Sequence, residues 1–226
     1  MANDHVAIDG PTSSGKTSSA QVLAIETGHL YLDTGAMYRS VAYLALKNGV
    51  DLDSEAGLVA MLRHHTIAIV PDTTTAAGYR VNIDGRYTGE RLFDPDIAAA
   101  VSTVAALPAI RAELVERQRA IAAQGPVVMA GRDIGTVVLP DARFKFFLTA
   151  SLDERSRRRH AEFSARGIDV SLDEVRAQLA ERDRLDSTRA ISPLRAAPDA
   201  VTIDSTDLQP QEVVARMRAV MEAPRA

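Results

Sequence analysis

Short apolar bursts bounded by turn residues recur along the chain, at 6–8, 30–32, 127–130, 144–148 and 200–203. Their apolar residues are consecutive rather than alternate, the pattern of strands covered on both faces and so of a parallel sheet. Longer stretches with apolar residues three and four apart fill most of the gaps, at 36–47, 108–123, 152–165, 172–185 and 211–221. That spacing lays an apolar face along a helix. Strand and helix in alternation predict an α/β fold, a doubly wound parallel five-stranded sheet with helices on both faces.

One region breaks the alternation. Residues 64–70 and 79–83 read as two strands of a hairpin, with the polar Thr73-Thr74-Thr75-Ala76-Ala77-Gly78 between them and His64-His65 opening the first. Apolar and polar residues alternate through Arg80-Val81-Asn82-Ile83-Asp84, as in a half-buried strand, and Asp84-Gly85 signals a further turn. The expectation is one domain over 1–226: a core at about 1–60, 107–150 and 168–226, a small antiparallel β-containing insert at about 61–106, and an arginine-rich lid at about 151–167. Residues 187–199, with Pro193 and Pro198, read as a loop before the last strand.

Composition narrows the class of partner. The chain has 226 residues, is 46% hydrophobic and 25% charged, and carries a net charge of −4, which weighs against a general nucleic-acid binder. It has no cysteine, so disulfides and thiolate metal sites are excluded and a reducing compartment suits it. No apolar run approaches the ~20 residues of a membrane span. Strand-like sequence begins so near the first residue that no signal peptide fits before it. The expectation is a cytoplasmic protein without nucleic-acid or membrane partners, and a monomer, since no exposed apolar stripe asks for a second copy.

The chemistry begins directly behind the first strand. Residues 10–17 read GPTSSGKT, the phosphate-loop pattern G-x-x-x-x-G-K-[ST] in its proper place between a strand and a helix running from Lys16 to about Glu26. Glycines let such a loop wrap an anion with successive N–H groups turned inward, and the positive end of the following helix adds to the field. Lys16 would reach the β- and γ-phosphates of a nucleoside triphosphate. Thr17 stands at the Mg²⁺-ligand position, with Ser18 the neighbouring hydroxyl.

Other strand ends carry charge. Asp33-Thr34-Gly35-Ala36-Met37-Tyr38-Arg39 follows the second strand, where Asp33 and Thr34 read equally as a helix cap or as ligand groups and Arg39 reads as functional. Gly131-Arg132-Asp133-Ile134-Gly135 follows the third; it reads as a self-satisfied Arg–Asp pair or as a fork for phosphate beside an acceptor for an exocyclic amine. Arg182, Asp186 and Arg189 share one helical face if that helix persists, whether as solvated ion pairs or as a site. The run Asp153-Glu154-Arg155-Ser156-Arg157-Arg158-Arg159 reads as a solvated face or as a lid closing over transferring phosphates, with Gly167 a hinge or helix cap. The N-K-x-D, H-R-D, D-F-G and H-E-x-x-H patterns are absent, which weighs against a GTPase, a protein kinase and a zinc protease.

Taken in order, IDGPTSSGKT, YLDTGAMYR, GRDIGTVVLPDA, KFFLTASLDERSRRR and ERDRLDSTR resemble the bacterial cytidylate kinases of the nucleoside monophosphate kinase family, from about residue 5 to 220. The resemblance implies transfer of the γ-phosphoryl group of ATP to CMP or dCMP, with Mg²⁺. It implies that Gly10, Pro11, Thr12, Ser13, Ser14, Gly15, Lys16, Thr17 and Ser18 bind ATP. Arg39, Arg132 and Arg189 would meet the acceptor phosphate, with Arg182 nearby. Asp186, with Arg182 and Tyr38, would hold the sugar; Ser102, Arg111 and Asp133 would read cytosine; Asp33 and Thr34 would flank the acceptor. Arg158 and Arg159 would act from the lid, making Lys16, Arg39, Arg132, Arg158 and Arg159 the catalytic set. The rivals are a kinase for UMP or AMP and a non-catalytic nucleotide switch. No Gly-Phe-Pro-Arg-like acceptor motif marks an adenylate kinase, and arginines at strand ends disfavour the switch.

Overall fold

In the computed structural model, residues 4–223 are described apart from 73 and 76–78. β1 (Val6–Asp9) is buried throughout. It takes the middle of a five-stranded sheet whose order is β2 (Leu30–Asp33), β6 (Val127–Gly131), β1, β7 (Phe144–Thr149), β8 (Val201–Asp204). β6 and β7 flank β1 in parallel, with Val6 opposite Val128 and Phe144; β8 runs parallel to β7. All five apolar runs are therefore strands of one sheet. Because β1, β6, β7 and β8 are parallel, their carboxyl ends share an edge, the edge where such sheets carry ligands.

The chain divides into two compact units, 1–30 with 126–226, and 31–125. In the first, α1 (Lys16–Thr27) buries Ala20, Leu23 and Ala24 and ends at the left-handed Gly28. α8 (Pro210–Glu222) packs beside it. α6 (Leu152–Ala165) and α7 (Leu172–Thr188) pair through a small core of Phe163, Val175 and Leu179. Gly167, at φ 69, lies just past the cap of α6 and turns the chain, and Ser171 with Glu174 forms a capping box that restarts it as α7.

The second unit has its own core, in which Met37, Val41, Leu58, Leu62, Val101, Val104, Ile110 and Leu114 are buried together. They come from α2 (Thr34–Asn48), α3 (Glu55–Arg63), α4 (Pro95–Ala106) and α5 (Pro108–Ala122). β3 (Ile67–Pro71), β4 (Tyr79–Ile83) and β5 (Arg86–Tyr87) make the small antiparallel sheet. The turn between β4 and β5 has Asp84 at φ 52 and Gly85 at φ 75, the left-handed pair that a tight hairpin requires. The connection between β3 and β4 falls largely outside the described residues.

The first insert strand begins later than its sequence suggests. α3 extends to Arg63 and His64 caps it, so β3 starts only at Ile67. His65 turns its Nδ1 to the Asp84 carboxylate at 2.7 Å. Neither α3 nor α4 was expected. α3 is nine residues long and contains Gly57, which weakens the helical signal of so short a segment. α4 is rich in alanine, so its face toward the core stands out little from the rest.

Candidate active site

The loop after β1 has the backbone of an anion cradle. Gly10 takes φ 151, and a Cβ there would lie 2.0 Å from the carbonyl oxygen of Leu148, so no other residue fits. Ser13 at φ 59 and Gly15 at φ 84 are left-handed, the conformation that turns successive N–H groups to one side. Lys16 opens α1 and is 7% exposed. Its ammonium donates to the Pro11 carbonyl and to Ser14 Oγ, the latter at 3.2 Å, so it lies back over the loop. Thr17 and Ser18 stand exposed on the first turn.

Arginines from just past β6 and from α6 reach this loop. Arg132, just past β6, donates from Nε to Asp186 at 2.9 Å and from Nη2 to Thr12 Oγ1 at 2.7 Å. Of the two readings of this segment, the pair satisfied between themselves is not the one formed: Arg132 reaches α7, and Asp133 Oδ1 lies 4.0 Å from Arg189 Nη2. α7 persists through Asp186 to Thr188, with Arg189 as its cap. Arg189 also donates to the Ser192 carbonyl at 2.5 Å. Burial works to raise the pKa of Asp186, but the guanidiniums of Arg132, Arg182 and Arg189 outweigh it and hold the carboxylate below its usual range.

The α6 arginines divide by what they reach. Arg155 is buried and donates to the carbonyls of Ala150 (3.0 Å) and Thr12 (3.3 Å) and to Asp183 (2.6 Å). One turn on, Arg158 donates to the Ser205 carbonyl at 2.6 Å and to Glu154 at 2.9 Å, and its Nη1 lies 3.6 Å from where a Gly15 Cβ would sit. Ser205 Oγ donates to the Ser14 carbonyl at 2.9 Å. The start of α6 and the end of β8 are thus tied to the phosphate loop. Arg159 instead pairs with Glu162 and lies 4.2 Å over the Phe163 ring, on its own helix.

Asp9, the last residue of β1, is 3% exposed, and its two oxygens accept the N–H groups of Ile134 and Gly135, both at 2.8 Å. Those amides open a wide helical turn, Ile134–Val138, directly after Arg132 and Asp133. Burial raises the Asp9 pKa to about 6, against the pull of the two amides.

The second unit holds another constellation. Asp33 caps α2, accepting the Gly35 N–H at 2.9 Å on Oδ1. Its Oδ2 accepts from Arg39 at 2.8 Å and from the Tyr79 hydroxyl at 2.7 Å. Capping and ion pairing are therefore both true of Asp33. Arg39 also donates to the Tyr79 oxygen at 3.0 Å and lies 4.8 Å over the Phe93 ring. Burial alone would raise the Asp33 pKa, yet the Arg39 charge and the hydrogen bonds hold it low; burial and the Asp33 charge push the Tyr79 hydroxyl well up. Thr34 is buried in the first turn of α2. Arg111 is buried over the Tyr38 ring at 5.5 Å and donates to the Ala105 carbonyl; Ser102 is half-buried on α4.

Sequence reasoning passed over Asp9 and Tyr79, and took Arg155 only as one of the run read as a solvated face or a lid. Only Arg155 left a local signal: it stands three residues before Arg158, the spacing of one helical face. The partners of Asp9 and Tyr79 lie far along the chain.

A parallel α/β sheet, a strand–loop–helix phosphate cradle with its lysine, and carboxylate-held arginines define the class: a P-loop phosphotransferase. The family model for cytidylate kinase matches residues 6–223, and the chain belongs to that family. A cytidylate kinase of Carboxydothermus hydrogenoformans is 46% identical over 216 residues, covering 96% of each chain. Those of Enterococcus faecalis and Pelotomaculum thermopropionicum are 46% and 47% identical, each covering 98% of this chain and 97% of the relative.

Proposed function

We propose that the chain phosphorylates CMP and dCMP, transferring the γ-phosphoryl group of ATP to give ADP and CDP or dCDP. The observation that carries this reading is the family match from end to end, joined to a phosphate loop whose backbone already has the anion-binding turn. The acceptor's phosphate has a second pKa near ~6 and is largely dianionic at neutral pH, so the reaction needs little help from a base. What it needs is two anions held in line and their charge balanced. Loop amides and Lys16 hold the donor. By the family resemblance Arg39, Arg132 and Arg189 serve the acceptor phosphate, and Arg158 and Arg159 serve the lid.

Asp186, Arg182 and Tyr38 hold the sugar, Asp133, Ser102 and Arg111 read the base, and Asp33 and Thr34 shape the acceptor end of β2. Among the described residues no three His, Cys, Asp or Glu side chains gather to hold an ion. A Mg²⁺ carried mainly by nucleotide phosphates suits that donor set. The exposed Thr17 hydroxyl would hold it, and it would supply charge to offset the phosphates. Transfer is direct, without a phosphoenzyme, and the enzyme works as a cytoplasmic monomer.

The test is ADP release with each nucleoside monophosphate in turn, with and without Mg²⁺. CMP and dCMP accelerate release in its presence; no acceleration by either defeats the proposal. A chiral γ-phosphate should emerge inverted, and retention would exclude direct transfer.

A further inference from the structure

Tyr79 stands on the small antiparallel sheet, yet its hydroxyl belongs to the chemistry at the start of α2. It is 4% exposed, and its oxygen donates to Asp33 Oδ2 at 2.7 Å while accepting from Arg39 Nη2 at 3.0 Å. The same Nη2 donates to Asp33 Oδ2 at 2.8 Å. An Nη nitrogen has only two protons, so these two bonds fix the rotation of the guanidinium within its plane. The Phe93 ring, 4.8 Å away, fixes the tilt. Gly35 leaves room, since a Cβ there would stand 3.0 Å from both Arg39 Nη1 and Asp33 Oδ1. The Nε–H is buried without a partner among the described residues, and the Nη1 edge is not spent on Asp33 or Tyr79.

We infer that Tyr79 is a positioning residue for the acceptor's phosphate, acting through Arg39. This rests on the reading of Arg39 as a phosphate ligand. The hydroxyl acts in two ways. It holds the guanidinium in one orientation before the ligand arrives, which lowers the entropy lost on binding. It also shares the Asp33 oxygen with Arg39, so the carboxylate neutralises the guanidinium less fully and leaves more of its charge for an incoming dianion. Without the hydroxyl, Asp33 Oδ2 has Arg39 as its only side-chain donor among the described residues and draws the guanidinium in. β4 therefore contributes to acceptor affinity as well as to the scaffold.

The experiment compares wild type, Tyr79→Phe, Arg39→Lys and the double variant by steady-state kinetics, with cytidine as a phosphate-free competitor. Tyr79→Phe removes one oxygen and keeps the ring. It should raise KM for CMP about three- to tenfold, the net worth of one ordinary hydrogen bond, with kcat, KM for ATP and the Ki of cytidine within about twofold. In the Arg39→Lys background it should add little, because its route is gone. An unmoved KM for CMP overturns the inference; so does an equal rise in the Ki of cytidine, or a full effect in the Arg39→Lys background. If Arg39→Lys itself leaves KM for CMP unmoved, the role of Arg39 fails and this inference falls with it. A rise for Arg39→Lys with none for Tyr79→Phe removes only the role of Tyr79.

Discussion

Arg39 and Arg132, from different strand ends, are each held by one carboxylate and one hydroxyl: Asp33 with Tyr79, and Asp186 with Thr12. An arginine held in this way keeps its charge and loses its freedom to rotate, which is what a phosphate site requires. Lys16 donates to a carbonyl and a hydroxyl of its own loop, neutral acceptors that phosphate oxygens can replace. Lys16→Ala should therefore lower kcat by about 10²–10³-fold, as loss of one charge-stabilising donor does. The melting temperature should stay within a few degrees; equal turnover in both proteins would remove Lys16 from the chemistry. At this scale the sequence named the loop, its lysine and most of the arginines, because their residue types and spacing are local. It could not pair them. Whether Arg132 turned to Asp133 beside it or to Asp186, 54 positions on, depended on the fold.

Between elements, the firmest constraint joins the phosphate loop to β7. With a Cβ at Gly10 only 2.0 Å from the Leu148 carbonyl oxygen, the clash is with backbone of a central strand and no rotamer change relieves it. Gly10→Ala should destabilise the fold by more than about 3 kcal/mol, the range of substitutions that force strain on a packed backbone, read as a lower urea midpoint. A midpoint like wild type would show that the loop can move off β7. α6 makes the converse point. Its arginine run read as a solvated face or as a lid, and only the folded helix separates Arg155, buried against Thr12 and Asp183, from Arg159, spent on Glu162 and Phe163. The parallel strands were legible because two-sided burial writes an unbroken apolar run, whereas the short α3 and alanine-rich α4 wrote no comparable period.

Across the whole molecule, pH acts through buried carboxyl groups whose pKa values are shifted in opposite directions. The Asp33 and Asp186 pKa values are lowered, so their stabilisation is present above the ordinary 3.8 and is lost as pH falls below it. Asp9 is raised from 3.8 to about 6, so its contribution is full below pH 3.8 and is lost as pH rises through about 6. The unfolding free energy of wild type minus that of Asp9→Asn should fall by up to about 3 kcal/mol between about pH 4 and 6.5 and then level off. A difference that stays flat over that range would mean Asp9 titrates normally. None of this was legible beforehand: an aspartate at a strand end reads as a polar boundary until the fold sets two amides against it.

That carboxylate also means the chain carries an anion of its own. Two sets of backbone amides point inward in the first unit, one in the phosphate loop and one at Ile134 and Gly135, and Asp9 stoppers the second. The fold thus separates a permanent resident from a passing guest. The Ile134 and Gly135 amides are spent on Asp9, so the turn behind Arg132 and Asp133 already has its anion.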